Sequence, residues 1–588
     1  MRPLSGPPGL PAFAALRRVF SKGYTLTHLR DDLLAGTVVG IVALPLSMAL
    51  AIAVGVAPQH GLYTAIFAGA IVALLGGCKF QVTGPTAAFI VILAPIVTKH
   101  GLSGLLTAGA MAGLLLLAMG LARLGNLIQY IPHPVTTGFT TGIAVVIATL
   151  QMKDVLGLQV GTLPDAYVEK IAALWAARGT LRIAEVGVAA VTFALLLTLP
   201  HVVKRLPAPL LAISLVAAGS VLLHRIDPSF VATTIGSRFH TTIDGVEVAG
   251  IPALVPTPAL PWGDAPLDFA LIRALFPAAF AIAILGAIES LLSAVIADGM
   301  TNTKHDPNSE LVALGIGNIV APFFGGIAAT GALARTATNI RAGAHSPFSA
   351  VAHAIFVLLA MLLLAPLVAY IPMAALAALL LVVAWNMSDA HGFVGVVRVA
   401  PRSDVFVLLT CFLLTVFFDM VVAVSVGFVL AAILFMRRMS ELTESRMQLD
   451  SSEEGTVAAL PAGVVLYEIN GPLFFGAAQK AMSAMSAART GDYRVLVIHL
   501  ARVPVIDATG LVALENAVAA VVRAKRKVVL AGPLPKPREV FDRAALAEKH
   551  PGLYFAADLD AALALATQLA RKVSNAPAPV TAARAGSS

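Results

Sequence analysis

Charged residues are scarce in this sequence: only 12% of its 588 residues are Asp, Glu, Lys or Arg, whereas 58% are hydrophobic. A soluble domain carries about 25% charged residues, so this chain has too few to cover a water-exposed globule of its size. Intrinsic disorder is excluded as well, because disordered chains combine low hydrophobicity with high charge. The composition therefore predicts a protein that crosses a membrane many times.

Cysteine is almost absent, and the signatures of common enzymes are missing. Cys78 and Cys411 have no CxxC or Cys/His spacing, so neither a disulfide framework nor a metal site is predicted. No P-loop, GxSxG or HExxH motif occurs, and we therefore predict no enzyme activity, no ATP-driven pump and no cofactor. The net charge of +8 comes without a basic stripe interleaved with aromatics, which argues against nucleic-acid binding.

Twelve long apolar runs lie between Leu33 and Met436, and several reach the roughly 20 residues needed to cross a bilayer. Two shorter segments, 83–93 and 330–340, bring the total to fourteen. An even number of crossings places both termini on one side, which the loop Lys and Arg residues identify as the cytoplasm. The predicted parts are a cytoplasmic segment at 1–30, a transmembrane transport domain at 31–438 with repeats at about 31–225 and 268–438, a soluble domain at 440–573 and a disordered tail at 574–588.

The soluble domain shows the alternation of strands and helices that is typical of an α/β fold. Strands are predicted at 464–469, 495–500 and 527–531, and helices near 475–488, 511–524 and 559–572. Residues 224–268 are predicted to form a polar loop between the two membrane repeats.

The two short segments occupy comparable positions in the two repeats. Each follows a Gly-Gly pair and opens with Thr-Gly, at Thr83 and Thr330, before it becomes compatible with a helix. Paired interrupted segments in a repeated membrane protein predict the binding site of a transporter. The alternative is that both are re-entrant turns that only fill space.

Glu289 lies deep in an apolar run, where a charge costs at least about 2.5–3.5 kcal/mol. Removal from water favours the neutral form of a carboxyl, so Glu289 is predicted to be a coupling-ion or proton site. Ser293, one turn further on, shares its helix face and is assigned to the same site. The alternative is a structural carboxyl that is bonded to neighbouring backbone or Ser.

Arg335 lies one turn into the second short segment. Its guanidinium can bind a carboxylate or sulfate with two parallel bonds, and the amides of two helix N-termini would add positive charge. The sequence therefore predicts an anion site here. The alternative is that Arg335 pairs with Glu289, and both arrangements can hold at different stages of transport.

These residues belong to motifs that resemble the SulP sulfate-permease family of anion transporters with a C-terminal STAS domain. The matching stretches are LPLSMA at 44–49, VTGPTA at 82–87, LGAIESLL at 285–292, ADGMT at 297–301, ART at 334–336 and GPLFF at 471–475. The resemblance implies an α-helical polytopic fold of fourteen segments in two inverted repeats of seven, with core and gate domains and a cytoplasmic α/β STAS domain. It also implies a homodimer in the bacterial inner membrane.

The resemblance assigns an anion pocket to the two short segments and the first span. Its implied substrate-binding residues are Leu46, Leu50, Thr86, Ala87, Ala334 and Arg335. Glu289, with Ser293, matches the family's membrane carboxylate, which is linked to protons or to sodium in different branches. Leu333 stands where the sodium-bicarbonate branch has a Thr, and Leu has no oxygen to bind sodium.

Within the family, tracts such as AWNMS at 384–388 and LFMRR at 434–438 resemble the C4-dicarboxylate branch. That branch implies proton-coupled uptake of succinate, fumarate and aspartate by alternating access. The alternative is a sulfate or bicarbonate permease or exchanger of the same family, and a conductive channel of the same fold would be favoured only by conductive flux. The substrate expectation depends on the resemblance, because sulfate and succinate are dianions of similar size.

Thr509 follows a predicted strand in Ile506-Asp507-Ala508-Thr509-Gly510 and matches the STAS loop that is phosphorylated in anti-sigma factor antagonists. The resemblance therefore implies a regulatory phosphosite at Thr509 and a cytoplasmic partner for the STAS domain. The alternative is an ordinary helix N-cap, in which Asp507 or Thr509 accepts from the first free amides.

Overall fold

The computed structural model describes residues 12–21, 23–126, 132–161, 163–164, 166–203, 207–243, 246–263, 268–418, 420–441, 444–448, 460–474, 478, 482 and 493–574. The chain divides into two compact units, Met1–Val429 and Leu430–Ser588. The division falls inside a helix, several residues before the predicted boundary at 438–440. Each unit is described by itself below.

Helices dominate the first unit, because its long apolar runs satisfy their own backbone hydrogen bonds as a bilayer requires. The first repeat contains α1 (Ala14–Ser21), α2 (Leu26–Val54), α3 (Gln59–Leu75), β1 (Thr83–Gly84), a 3-10 turn (Ala87–Phe89), α4 (Ile90–Leu121), α5 (His133–Val155), α6 (Tyr167–Ala176), α7 (Ile183–Val202) and α8 (Ala208–Ile226). The second repeat contains α10 (Phe269–Thr301), α11 (Pro307–Phe323), β4 (Thr330–Gly331), α12 (Leu333–Arg341), α13 (Phe348–Val368), α14 (Met373–Met387), α15 (Ala390–Val399), α16 (Arg402–Phe417) and α17 (Met420–Glu441).

Within the described residues, eight helices are long and apolar enough to cross a membrane. The backbone of α4 breaks at Gly101, where φ is 65° and ψ is −167°, so a short half-helix precedes a full span. Four shorter helices, α3, α11, α12 and α16, and the 22-residue α17 add to these spans. With the half-helix before Gly101 counted separately from the rest of α4, each repeat supplies seven segments, which confirms the predicted fold class.

The two repeats run in opposite directions through the first unit. Strands β1 and β4 pair antiparallel, with Thr83 opposite Gly331 and Gly84 opposite Thr330, so identical Thr-Gly pairs face each other. Each contact between the repeats occurs twice, with the two repeats exchanged. The first helix of each repeat packs on the fourth segment of the other, as α2 does on α13 and α10 on α4. The fifth likewise packs on the sixth, as α5 does on α16 and α14 on α7. This exchange is the pattern of an inverted repeat.

Two helix bundles can be distinguished within the first unit. The core bundle comprises α2–α4 and α10–α13, and the gate bundle comprises α5, α7, α8, α14 and α16. Close approach inside the core bundle depends on glycine, since a Cβ at Gly113 of α4 would lie 2.7 Å from the Gly315 carbonyl oxygen of α11. This contact confirms the close packing that the Gly109xxxGly113 spacing indicates.

The link between the repeats has more regular structure than the polar loop predicted for 224–268. It forms the short helix α9 (Ile235–Arg238) and a hairpin of β2 (His240–Ile243) and β3 (Val246–Ala249). Backbone bonds from Ile235 to Ile371 and from Gly236 to Ala369 fix this link against the α13–α14 turn. The sequence analysis predicted a polar loop without these elements, because the contacts that fix them are distant in sequence.

A five-stranded sheet forms the second unit. Its order is β5 (Glu444–Gln448), β6 (Val464–Asn470), β7 (Val495–Arg502), β8 (Lys527–Ala531) and β9 (Leu553–Ala556). The pair β5–β6 is antiparallel, and the other pairs are parallel. Both faces are buried, as parallel sheets require. The flanking helices are α18 (Ala508–Arg523), α19 (Pro535–Arg543), α20 (Leu546–Lys549) and α21 (Leu559–Ser574).

Alternating side chains of the strands divide between the two faces. Tyr467 and Ile498 pack with Leu514 of α18 on one face. Leu466 and Val497 pack with Ala566 of α21 on the other. The three predicted strands and the helices predicted at 511–524 and 559–572 are confirmed, whereas most of 475–488 and of the tail lies outside the described residues.

Candidate anion-binding site

The two short segments meet where β1 pairs with β4, and a half-helix leaves each strand from this point. One starts with the 3-10 turn at Ala87 and continues into α4, and the other is α12. Among the described residues, no side chain caps either start, at Thr86 or at Ala332. The unpaired N–H groups at helix starts carry partial positive charge, so this junction is suited to an anion.

Arg335 supplies a full positive charge at this junction. Its side chain is buried, and Nη2 donates to the Pro85 carbonyl oxygen of the opposite repeat at 2.7 Å. Its Nε and Nη1 have no hydrogen-bond partner among the described residues. Buried donors without a partner are costly, and an oxyanion would satisfy both.

Gly84 makes room for the guanidinium. A Cβ on Gly84 would lie 2.4 Å from Nη1 of Arg335, which is closer than real Cβ contacts allow. The Thr-Gly pair at the start of the first short segment therefore has a steric role: its glycine lets the arginine of the other repeat cross to Pro85.

Glu289 reaches the same junction from α10. Its Oε2 accepts a hydrogen bond of 2.9 Å from the Thr86 hydroxyl, at the start of the first half-helix. Its side chain is half-buried, and among the described residues no ion pair joins it to Arg335. In this conformation Arg335 and Glu289 therefore do not form the direct pair that the sequence analysis offers as an alternative.

The remaining predicted pocket residues lie on elements that surround the junction. Leu46 is half-buried and Leu50 is buried, one turn apart on α2, which packs on α12. Ala87 is buried in the 3-10 turn, and Ala334 is exposed in the first turn of α12. Their contact with a bound anion stays a prediction.

Ser293, which the sequence assigns to the Glu289 site, hydrogen-bonds to another residue in this structure. Its hydroxyl donates to Thr336 Oγ1 at 3.2 Å, and Thr336 accepts from the Val82 N–H at 3.1 Å. Ser293 thus connects α10 to α12 and, through Thr336, to the residue before β1, and it is not bonded to Glu289 in the described structure. Thr336 and Val82 were missed, because the bonds that join these elements are invisible in helix periodicity.

A second membrane carboxyl, Glu310 of α11, was also missed. It is 1% exposed, and it accepts from the Gly77 and Cys78 N–H groups at 2.8 and 2.9 Å and from Gln81 Nε2 at 2.8 Å. Gln81 also donates to Ser290 Oγ at 2.6 Å. The available signal was a carboxyl at the start of a predicted span, which the rule that identified Glu289 also covers.

Glu310 should be a structural anchor for the turn that leads into β1. We expect Glu310→Ala to lower the unfolding temperature of the purified protein by several degrees, since the Gly77 and Cys78 N–H groups lose their acceptor at about 1–3 kcal/mol each and Gln81 loses one of its two. Glu310→Gln should cost less, because its amide oxygen still serves Gly77 and Cys78. Thermal unfolding in detergent measures both, with the exposed Glu169→Ala as control. Equal unfolding temperatures for all three variants would contradict the anchor role.

In the second unit, the loop before α18 shows which residue caps that helix. Asp507 is the N-cap, and its Oδ1 accepts from the Gly510 N–H at 2.6 Å. Thr509 is exposed in the first turn of α18. Its role as a phosphosite stays a prediction.

An inverted repeat, two half-helices that meet at a strand pair, and a buried arginine with unpartnered donors together define a membrane transporter of small anions. Residues 29–411 match the model of the sulfate permease family, and residues 457–561 match that of the STAS domain. The chain belongs to the sulfate permease family and carries a C-terminal STAS domain.

Three comparisons with known proteins agree with this assignment. The chain is 39% identical to "Putative sulfate transporter YvdB" of Bacillus subtilis, over 90% of its own length and 96% of that protein. It is 29% identical to the bicarbonate transporter BicA of Picosynechococcus sp., over 89% and 92%. The murine Solute Carrier 26 family member A9 anion transporter shares the fold, with a TM-score of 0.81 at 18% identity over 95% and 94% of the two chains.

These relatives bear on the substrate expected from the sequence. They are named as sulfate and bicarbonate transporters, so the C4-dicarboxylate branch is not supported, and the alternative of a sulfate or bicarbonate transporter is supported better. That the relatives are transporters is consistent with the absence of enzyme motifs.

Proposed function

We propose that this protein imports sulfate by alternating access, with Arg335 and the two half-helix starts as the anion site. The observation that carries the proposal is the pair of buried Arg335 donors, Nε and Nη1, that have no partner within the described chain. Two donors on one planar group suit the oxygens of a tetrahedral anion. The 39% identity to a relative named as a sulfate transporter supports sulfate over other oxyanions.

Glu289 provides a means of coupling to protons. When Glu289 is ionised, its negative charge at the start of the first half-helix repels a dianion that approaches Arg335. When Glu289 is protonated, Arg335 alone faces the dianion. Because the proton and the anion then load together, a proton gradient directed inward drives uptake, and the symmetric repeats allow the site to open on either side.

Bicarbonate is the second candidate, and the likeness to the bicarbonate transporter BicA favours it. Coupling to sodium, which the family resemblance implies for one branch, has less support here. Leu333, which is 43% exposed at the start of α12, offers no oxygen where sodium would need one. We further propose that the protein is a homodimer of the bacterial inner membrane with both termini in the cytoplasm.

Uptake into proteoliposomes tests the substrate directly. With labelled sulfate and an inward proton gradient, we expect accumulation above the level reached without the gradient, since the proton and the anion load together. Unlabelled sulfate should compete strongly, and succinate and bicarbonate weakly. Gradient-driven succinate uptake that sulfate does not inhibit would overturn the sulfate proposal and restore the dicarboxylate branch. Bicarbonate uptake without sulfate uptake would favour the second candidate.

A further inference from the structure

Two short helices of the first unit carry apolar side chains that the rest of the described structure leaves exposed. They are α6 and α15, each of 10 residues. In the first repeat α6 joins the fifth segment to the sixth, and α15 does the same in the second repeat. Because the repeats are inverted, these corresponding helices lie at opposite surfaces of the membrane.

The exposed apolar side chains of α6 share one face of the helix. Val168, Ile171 and Trp175 are three and four residues apart, which places them in one line along the helix. They are 64%, 46% and 69% exposed. A neighbouring face packs on the gate bundle, where the Tyr167 ring meets Phe417 of α16 edge to face, with 5.6 Å between the ring centroids. One face thus fixes α6 to the gate bundle, and a second, apolar face is left uncovered.

The same arrangement occurs in α15. Phe393 packs edge to face on Phe412 of α16, with 5.5 Å between the ring centroids. Val394 and Val397, three residues apart, are 43% and 41% exposed. This helix too contacts the gate bundle on one side and leaves apolar side chains uncovered beside that contact.

The backbone turns away from the direction of the preceding span before each helix. Gly157, with φ of 62°, follows the end of α5, and Asp389, with φ of 40°, follows the end of α14. A left-handed residue at this position ends a helix and redirects the chain. Each short helix is therefore not a continuation of the span before it, and it lies at the surface where that span ends.

Each helix has an arginine close to its apolar face. The Arg178 guanidinium, just after α6, lies over the Trp175 ring at 5.0 Å from the centroid. Arg398 is exposed in the last turn of α15. Tryptophan is enriched where acyl chains meet headgroups, and a guanidinium matches the geometry of a lipid phosphate. The charge next to each apolar face therefore suits a phospholipid surface.

We propose that α6 and α15 bind the lipid surface, one in each leaflet, and hold the gate bundle at its depth in the bilayer. Their apolar faces lie among the upper parts of the acyl chains, while Arg178 and Arg398 meet lipid phosphates. This binding is separate from the Arg335 site and does not depend on which anion is transported. A second copy of the chain is the competing occupant of these faces.

Tryptophan fluorescence of the full-length protein tests α6. Trp262→Phe and Trp385→Phe leave Trp175 as the only tryptophan. The protein is reconstituted into vesicles of phosphatidylcholine and phosphatidylglycerol that carry bromine on the acyl chains, either close to the headgroups or close to the bilayer centre. We expect the shallow bromines to quench Trp175 more strongly, on the order of twofold, because an interfacial helix enters only the headgroup and acyl boundary.

The matched control moves the tryptophan around the same helix. With Trp175→Phe and Glu169→Trp added, the ring stands at an exposed polar position of α6, and we expect little quenching by either lipid. Absence of quenching of Trp175 by both lipids would show that protein covers this face, and stronger quenching by the deep bromines would place α6 within the hydrocarbon core. Either result would overturn the proposal.

The second helix is tested in a chain whose native tryptophans are all replaced by Phe. Val397→Trp on the apolar side of α15 should be quenched by the shallow bromines, whereas His391→Trp, at an exposed polar position, should not. Iodide added outside vesicles that hold the protein in one orientation should reach only one of the tryptophans at 169 and 391, as opposite leaflets require. Quenching of both from the same side, or of neither valine-face tryptophan by lipid bromine, would overturn the assignment to two leaflets.

Discussion

Arg335→Ala is expected to abolish sulfate uptake while the protein still folds. The variant removes the only full positive charge on the half-helix junction that the described residues show, together with the two donors that we assign to the anion. Loss of one partner of a buried charged pair costs about 2–5 kcal/mol, which weakens binding on the order of thirtyfold to several thousandfold. Sulfate binding by isothermal titration and uptake into proteoliposomes measure the two effects separately.

Two variants make this result specific. Arg335→Lys keeps the charge but loses the planar pair of donors, so an intermediate affinity is expected. Arg341→Ala removes an exposed arginine from the last turn of the same helix and should bind sulfate like the unchanged protein. If Arg335→Ala binds sulfate as tightly as Arg341→Ala, the anion site lies elsewhere.

Much of the architecture can be predicted from local pattern alone. The apolar runs predict the spans, and the Thr-Gly openings at Thr83 and Thr330 predict the paired half-helices. Features that depend on distant contacts cannot be predicted in this way. The α9 helix is fixed by backbone bonds to the α13–α14 turn, the β2–β3 hairpin follows it directly, and α1 is only 8 residues long.

In the candidate site, too, single residues can be predicted from local sequence and their distant partners cannot. Arg335 and Glu289 stand out in the sequence, because a charge inside an apolar run needs an explanation. Their partners do not stand out: Pro85 is 250 positions from Arg335, and Thr86 is 203 positions from Glu289. Glu310 was missed because a carboxyl in the first turn of a span resembles an ordinary partner of the helix dipole.

Glu289→Gln is expected to uncouple transport from the proton gradient while leaving anion binding intact. Glutamine is neutral, like the protonated carboxyl, and its amide oxygen can still accept from the Thr86 hydroxyl. Because the side chain no longer gains or loses a proton, sulfate entry should lose its stimulation by an inward gradient. Sulfate exchange without a gradient should continue, and both are measured in the same proteoliposomes across pH 5–8.

Glu310→Gln is the matched control, since it makes the same change at a buried carboxyl of another helix of the core bundle. Glu310 already accepts from three protein donors, which supports a fixed structural role, whereas Glu289 accepts from Thr86 beside the anion site. We therefore expect Glu310→Gln to lower stability and to keep gradient-driven uptake. The reverse outcome, with coupling lost in Glu310→Gln and kept in Glu289→Gln, would move the proton site from α10 to α11. Coupling retained in both variants would exclude either carboxyl as the proton carrier and leave the anion itself as the species that carries the proton.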